Sequence, residues 1–284
     1  MAITVDNLAA ALAAAQRLYL QKTTTAAKSA GAFQSCWLAA GNPGAGSAAP
    51  AYTAGSGYTC SSATNGAIVN YANSAGGGLV NRIGRAQASA AIAGKLILAD
   101  RLWSCSGMGF AAGTYTVTTP GSLPARITDN GKGCRLFVEN FVASGAATGT
   151  LTANYLDSNT GAAQAGVLNP VVSAPVAGQM QSVPLATGSE GLQQLTSVVT
   201  SATWTSGTFG MSIVKVIAAI PINPGTYSTV MDYAQLALAK IPNDACVQMA
   251  WQAMSSAAIT LVGEAVVIDG TFTTVDSMVA ELGA

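Results

Sequence analysis

Of the residue types that carry enzymatic chemistry, this chain has carboxylates, thiols and amines but no histidine. A Ser-His-Asp or Cys-His relay therefore cannot be assembled, because each needs an imidazole to take up and return a proton near neutral pH. Carboxylate pairs remain. Glu139, Asp157, Glu190 and Glu264 could flank a glycosidic bond, one as acid and the other as base or nucleophile. Their spacing gives no sign of convergence, and each reads more simply as a solvated or ion-paired residue on a strand or loop. The five cysteines, Cys36, Cys60, Cys105, Cys134 and Cys246, form no C-x-x-C pair, so a zinc site would need four scattered thiols or carboxylate help. They read as buried free thiols. The alternative is a disulfide between Cys36 and Cys60, both in loop-rich sequence, formed after the chain leaves a reducing compartment. The loose dinucleotide pattern Gly44-Ala45-Gly46-Ser47-Ala48-Ala49 runs into Pro50 where a helix should open, and Gly94-Lys95 and Gly131-Lys132 lack the rest of a P-loop. No catalytic residue, cofactor or metal is expected.

The composition points away from catalysis as well. Charged residues are 8% of 284, against about 25% in an ordinary soluble domain. Hydrophobic residues are 50%, and the mean hydropathy is +0.40. Such a chain either enters a membrane or is covered by other protein. A spanning helix needs about 20 apolar residues. The best candidate, Met211 to Ile222, is about half that length, holds Lys215 and contains Pro221. Asp6 near the start, with no base before Arg17, does not read as a secretion signal, so synthesis in the cytoplasm is expected. The low charge comes from Ala, Gly, Ser and Thr, whose surfaces pack against neighbouring subunits without desolvating ions. The sign of the charge is split along the chain. Residues 1–135 hold ten Lys and Arg and three acids, net +7, and residues 136–284 hold nine acids and two bases, net −7. Pairing within one fold is the simpler reading, and contact between a positive and a negative face of two subunits is the other. The bases are scattered, so no nucleic-acid partner is expected, nor a membrane.

The elements follow from periodicity. The segment 5–22 (VDNLAAALAAAQRLYLQK), with Asp6 as cap and Leu8, Leu12 and Tyr19 at helical spacing, predicts an amphipathic helix, and residues 26–38 a shorter one. Residues 29–81 contain no charged residue and are rich in Gly, Ala, Ser, Thr and Asn. They predict a long arm lying on a neighbouring subunit, mobile in the free protein and ordered once assembled, with disorder as the alternative. From Gly94 onward the period becomes strand-like. Nine runs, at 95–103, 114–119, 134–143, 149–157, 180–185, 192–204, 208–221, 246–254 and 259–268, are each bounded by turn residues. Residues 228–240 read as either a strand or a short helix. The expectation is a mainly β chain: an antiparallel β-sandwich or jelly-roll-like body over 94–284, preceded by an N-terminal helix and arm over 1–93. Trp103, Trp204 and Trp251 are expected in its core, although an exposed pair would make a sugar-binding platform.

One stretch carries a resemblance. Leu96 to Gly107 (LILADRLWSCSG) is similar to a family of virion structural proteins of tailed bacteriophages and prophages. In that family a strand ending Asp-Arg-Leu-Trp is followed by a polar-glycine turn and a Thr-rich strand, here Thr114 to Thr119. Leu123-Pro124-Ala125-Arg126, Leu151 to Leu156, Leu185 to Leu192 and Ser197 to Gly207 extend the likeness, while the turn has Ser104 and Cys105 where the family often has Asn or His. The resemblance implies a particle component with no catalytic residues. Its partners would be the major capsid protein and copies of itself, as a trimer on the outer capsid surface. Asp100 and Arg101 are expected to form a structural ion pair, with Arg126 as a second partner. A decoration or cement protein of the phage head is the leading expectation. A tail tube or tail-tip protein and a carbohydrate-binding module are the alternatives.

Overall fold

Successive side chains from Leu96 to Ala99 point alternately into two different cores, and the strand that carries them organises the molecule. The computed structural model describes residues 13, 15–23, 31–46, 57–68, 78–88, 93–109, 111–117, 123–146, 148–169, 171, 175–222, 229–231, 233–236, 240–254 and 260–269. Strands are numbered in chain order. Six of them, β2 (Phe33–Ser35), β6 (Gly94–Gly109), β8 (Cys134–Val142), β11 (Gln179–Val183), β13 (Thr208–Ile222) and β16 (Val247–Ala253), hydrogen-bond in the order β13-β8-β11-β2-β16-β6. β6 then pairs back onto β13 along most of its length, so the ring closes into an antiparallel barrel with no free edge. β4 (Tyr58–Thr59) continues the β16 side of β6.

Two open antiparallel sheets flank the barrel. One has the order β10 (Ala163–Leu168), β9 (Leu151–Asp157), β12 (Leu192–Thr200), β7 (Gly113–Thr116). The other runs β14 (Thr229–Met231), β5 (Gly78–Ala88), β17 (Thr260–Asp269), β1 (Gln16–Thr23), β3 (Ala40–Asn42), with β15 (Lys240–Ile241) also paired to β5. A single helical turn, α1 (Tyr233–Leu236), lies between β14 and β15 in the chain.

Three cores hold these layers together. A ring of six strands is narrow enough for side chains to fill. Its lumen holds Phe33, Ile97, Ala99, Phe137, Met180, Val214 and Ala250, so that each ring strand contributes, and Phe33 and Phe137 meet edge to face at 5.8 Å. Outside, Leu96, Leu98, Ile220, Met249 and Trp251 pack against Leu18, Leu20 and Val267 of the larger sheet. On another part of the outer face, Trp103, Leu136, Val138 and Met211 pack against Leu151, Tyr155, Leu195 and Val198 of the smaller sheet.

The mainly β, antiparallel character matches the sequence expectation, but the centre is a closed barrel and not a jelly roll. The N-terminal helix is a correction too. Its second half, Gln16–Thr23, is strand β1, in which Leu18, Leu20 and Lys22 are buried while Arg17, Tyr19 and Thr23 are exposed. That is a period of two, and it places Tyr19 opposite the leucines. Residues 1–12 lie outside the described residues. The second helix is likewise replaced, at Phe33–Ser35, by strand β2. The described parts of the uncharged arm belong to this chain's own core: Cys36, Trp37, Cys60, Ala67 and Ile68 are buried, and β2 is part of the ring. The other residues of 29–81 lie outside the described residues. Strand pairing therefore crosses the 93/94 boundary throughout. Residues 228–240 contain strand, helical turn and strand.

The glycines of the arm have a packing reason. The Gly46 and Gly57 backbones lie directly on indole rings, and a Cβ would stand 2.3 Å from Trp37 and 2.1 Å from Trp103. Trp103 is buried and has no room to retreat. Gly57→Ala is thus expected to cost about 1–3 kcal/mol by overpacking, measured as a fall in the urea midpoint. Gly109→Ala, where an added methyl meets nothing within 4 Å, is the control expected to change little.

Candidate functional site

Adjacent strand residues face opposite sides, so Asp100 and Arg101 cannot share one environment. Arg101 turns into the barrel. Its Nη1 stands 2.8 Å from Glu139 Oε2 of β8 and donates to Gln248 Oε1 of β16 at 3.1 Å, while Nη2 donates to Ser104 Oγ at 2.8 Å. Ser212 Oγ of β13 donates to the same Glu139 oxygen at 2.7 Å. The guanidinium also lies 4.9 Å from the centroid of the Trp37 ring, within cation–π range. Both ions are 1% exposed. Burial pushes the Arg101 value down, but the charge and hydrogen bond of Glu139 together with Cys60 and Cys246 raise it, and the net direction is up, so this cation stays charged.

A β-bulge makes this cluster possible. β13 pairs Ile213 with Trp103 and Val214 with Arg101, which leaves Leu102 as the extra residue. Leu102 and Trp103 both contribute to the outer core, and Ser104 returns beneath Arg101. Without the bulge, strict alternation would send Ser104 to the face opposite Arg101.

Asp100 faces the other way and takes Arg126. The fork is bidentate, with Nε donating to Oδ2 at 2.8 Å and Nη2 to Oδ1 at 2.9 Å, and the Cys246 N–H adds a third bond to Oδ1 at 2.9 Å. Burial pushes the Asp100 carboxyl above its ordinary 3.8, against the pull of Arg126. The expected Asp100–Arg101 pair is therefore corrected: Asp100 pairs with Arg126 and Arg101 with Glu139. Glu139 was singled out only as one of four carboxylates. The signal that could have found its role is its place on a strand buried on both faces, Leu136 to Asn140, where a charge must be paired.

The four carboxylates do not assemble into an acid–base pair. Glu139 is held by Arg101, Glu190 by Lys132 at 2.7 Å and Glu264 by Arg17 at 3.5 Å, while Asp157 accepts the Asn159 and Thr160 N–H groups in a turn. Among the described residues no group of three or more Cys, Asp and Glu side chains could hold a metal ion. No helix among them is long and apolar enough to cross a membrane. Trp103, Trp204 and Trp251 are all buried and offer no sugar platform. The five cysteines are all buried and free. Cys36 and Cys60 lie in different clusters and are not bonded, which corrects the alternative of a disulfide between them and leaves the reading as buried free thiols. A cleft of about 210 Å³ opens beside Asp100, lined by Arg126, Asp129, Lys215 and Lys240 among others. Arg126 is already bound to Asp100, and Lys215 to Asp129 at 2.5 Å.

A second buried cation has no carboxylate. Lys22, 1% exposed, donates to the Ala39 and Gly44 carbonyls at 3.1 and 3.0 Å and so fixes the loop around β3. Burial lowers its pKa from 10.5, with Cys36 opposing. Between that lowered value and 10.5 the unfolded chain binds more protons than the folded one, so stability from this group rises with pH across the window. The stability difference between the native chain and Lys22→Met is expected to grow in favour of the native chain as pH approaches 10.5, read as the difference in Tm.

The arrangement is a set of buried clamps in which each described polar side chain of the lumen faces protein and not solvent. Compared with protein-family models, curated proteins and solved structures, the chain matches none of them.

Proposed function

We propose that this chain is a structural component of a tailed-phage particle, a decoration or cement protein that sits on the outer surface of the head as a trimer and binds the major capsid protein. The observation that carries the reading is where the charges go. Of the five ion pairs among the described residues, Arg17–Glu264, Arg101–Glu139 and Lys132–Glu190 each join a base of the first half of the chain to an acid of the second, while Lys215–Asp129 joins the halves with the charges reversed and Arg126–Asp100 lies within the first half. Part of the charge split is met within the fold, and a chain rich in Ala, Gly, Ser and Thr suits close contact with other subunits. A closed barrel clamped by buried ion pairs supplies the stiffness that a cement needs. The Asp-Arg-Leu-Trp strand that resembles phage virion proteins is the strand that carries the clamp. The carbohydrate-binding alternative required an exposed pair of tryptophans, and Trp103, Trp204 and Trp251 are buried.

The test is a density map of particles that contain this chain. The expected result is a layer on the outer shell into which the barrel and its two flanking sheets fit, in contact with capsid subunits. Density for the barrel in the tail, or its absence from particles, would overturn the head assignment.

A further inference from the structure

β4 and β16 lie end to end along one side of β6. Thr59 pairs with Trp103 and Val247 with Asp100, so Cys60 and Cys246 occupy the two positions between them, beside Leu102 and Arg101. Backbone bonds fix both places: the Cys60 N–H donates to Leu102 O at 2.9 Å, and the Arg101 N–H donates to Cys246 O at 2.8 Å. Neighbouring positions on a strand are separated by about 3.3 Å of rise, and bridged cysteines have Cα atoms about 4.4–6.8 Å apart. The two side chains share a small buried cluster with Trp37 and Ala67, and Cys60 Sγ donates to Tyr58 O at 3.9 Å. The surrounding segments are already tied without covalent bonds. Ser62 Oγ donates to Asp244 Oδ1 at 2.7 Å, and the Ile68 N–H donates to Val247 O at 2.9 Å.

We propose that Cys60 and Cys246 are a redox-responsive pair: oxidation by a small-molecule disulfide joins their sulfurs and staples the 57–68 segment to the turn that leads into β16. The step is thiol–disulfide exchange. The Cys60 thiolate attacks one sulfur of the small disulfide and expels the other half as a thiolate. Cys246 gives its proton to that thiolate, and its sulfur then attacks Cys60, expelling the second half. The proton that Cys60 released to solvent on ionising returns to the second half, so two protein thiols and one small disulfide become one protein disulfide and two small thiols. The environment assigns the order of attack. Cys246 at its side, with help from the Arg101 and Arg126 charges, pulls Cys60 below its ordinary 9.0, whereas Cys60 and burial push Cys246 up. Cys105 and Cys134 are pushed to about 12 by burial and remain thiols. Both sulfurs of the pair are 0% exposed, so exchange proceeds through local opening of the 57–68 segment.

The folded full-length protein is incubated overnight with oxidised glutathione, its remaining thiols are alkylated in denaturant, and the digest is mapped by mass spectrometry. The expected map has one cross-linked peptide pair joining Cys60 to Cys246, lighter by two hydrogens, with the other cysteines alkylated. The oxidised protein should melt roughly 5–10 °C higher, and dithiothreitol should reverse the shift. Cys246→Ser, which keeps a hydroxyl in the same place, should hold the glutathione adduct on Cys60. Five alkylated cysteines, a bridge to any other cysteine, or an adduct on Cys60 of the native chain that never closes would each overturn the proposal. The map of the native chain decides this even if the variant does not fold.

Discussion

Replacing Glu139 with alanine is expected to destabilise the folded chain by about 3–5 kcal/mol, one of the two largest effects of any single side chain described here. The loss is not the value of the ion pair itself. It is the cost of leaving the Arg101 guanidinium inside the barrel with only the Gln248 and Ser104 oxygens and the Trp37 ring to replace its solvation. The distinction can be measured. If the pair itself supplied the energy, Arg101→Met with Glu139→Leu would be as damaging as the single change. If uncompensated charge is the cause, the double variant should recover most of the lost stability, because apolar side chains can fill the lumen beside Phe137 and Val214. Urea midpoints of the three proteins separate the two accounts. A double variant no more stable than Glu139→Ala would reject the second.

Arg126→Ala should cost about 3 kcal/mol near neutral pH, and here the pH dependence identifies the cause. Without Arg126, Asp100 keeps the Cys246 N–H but loses its fork, and burial pushes its carboxyl further up. A carboxyl whose folded value is raised contributes stability that is fully present below its unfolded value and is lost as pH rises through the folded value. The variant's deficit should therefore be smallest near pH 4 and below, and grow as pH rises toward 7. Adding Asp100→Asn should flatten that dependence, because no group is left at the position to ionise. Chemical denaturation of the native chain, the single and the double variants across that range is the measurement. A deficit independent of pH would mean that Arg126 acts through packing alone.

The elements bounded by Gly, Pro or Asn and made of apolar runs were legible: β8, β9, β13, β16 and β17 lie within a residue or two of the stretches the periodicity marks, while β6 runs six residues beyond its stretch and β12 stops four short of its own. β1 was not, because the alanines before it carry helical spacing and its third inward position is Lys22, which reads as solvated until the Ala39 and Gly44 carbonyls are in view. β2 is three residues inside an uncharged run, and β5 (GLVNRIGRAQA) has two arginines and no clean alternation. The site was half legible. Asp100, Arg101 and Arg126 stand out as charges in or near a strand of otherwise apolar residues, and such charges must be paired. Which partner each takes depends on the bulge at Leu102 and on ring closure, and both are long-range outcomes. The pairing of Cys60 with Cys246 is likewise set by two strands meeting end to end, 186 positions apart in the sequence.

β6 contributes Leu96 and Leu98 to one outer core, Ile97 and Ala99 to the lumen, and Leu102, Trp103 and Cys105 to the other outer core. No layer can therefore detach without exposing part of a strand on which the other two depend. The described body has no independently stable half. It is expected to unfold without a stable intermediate in which one core survives alone, because a fault along β6 reaches all three cores.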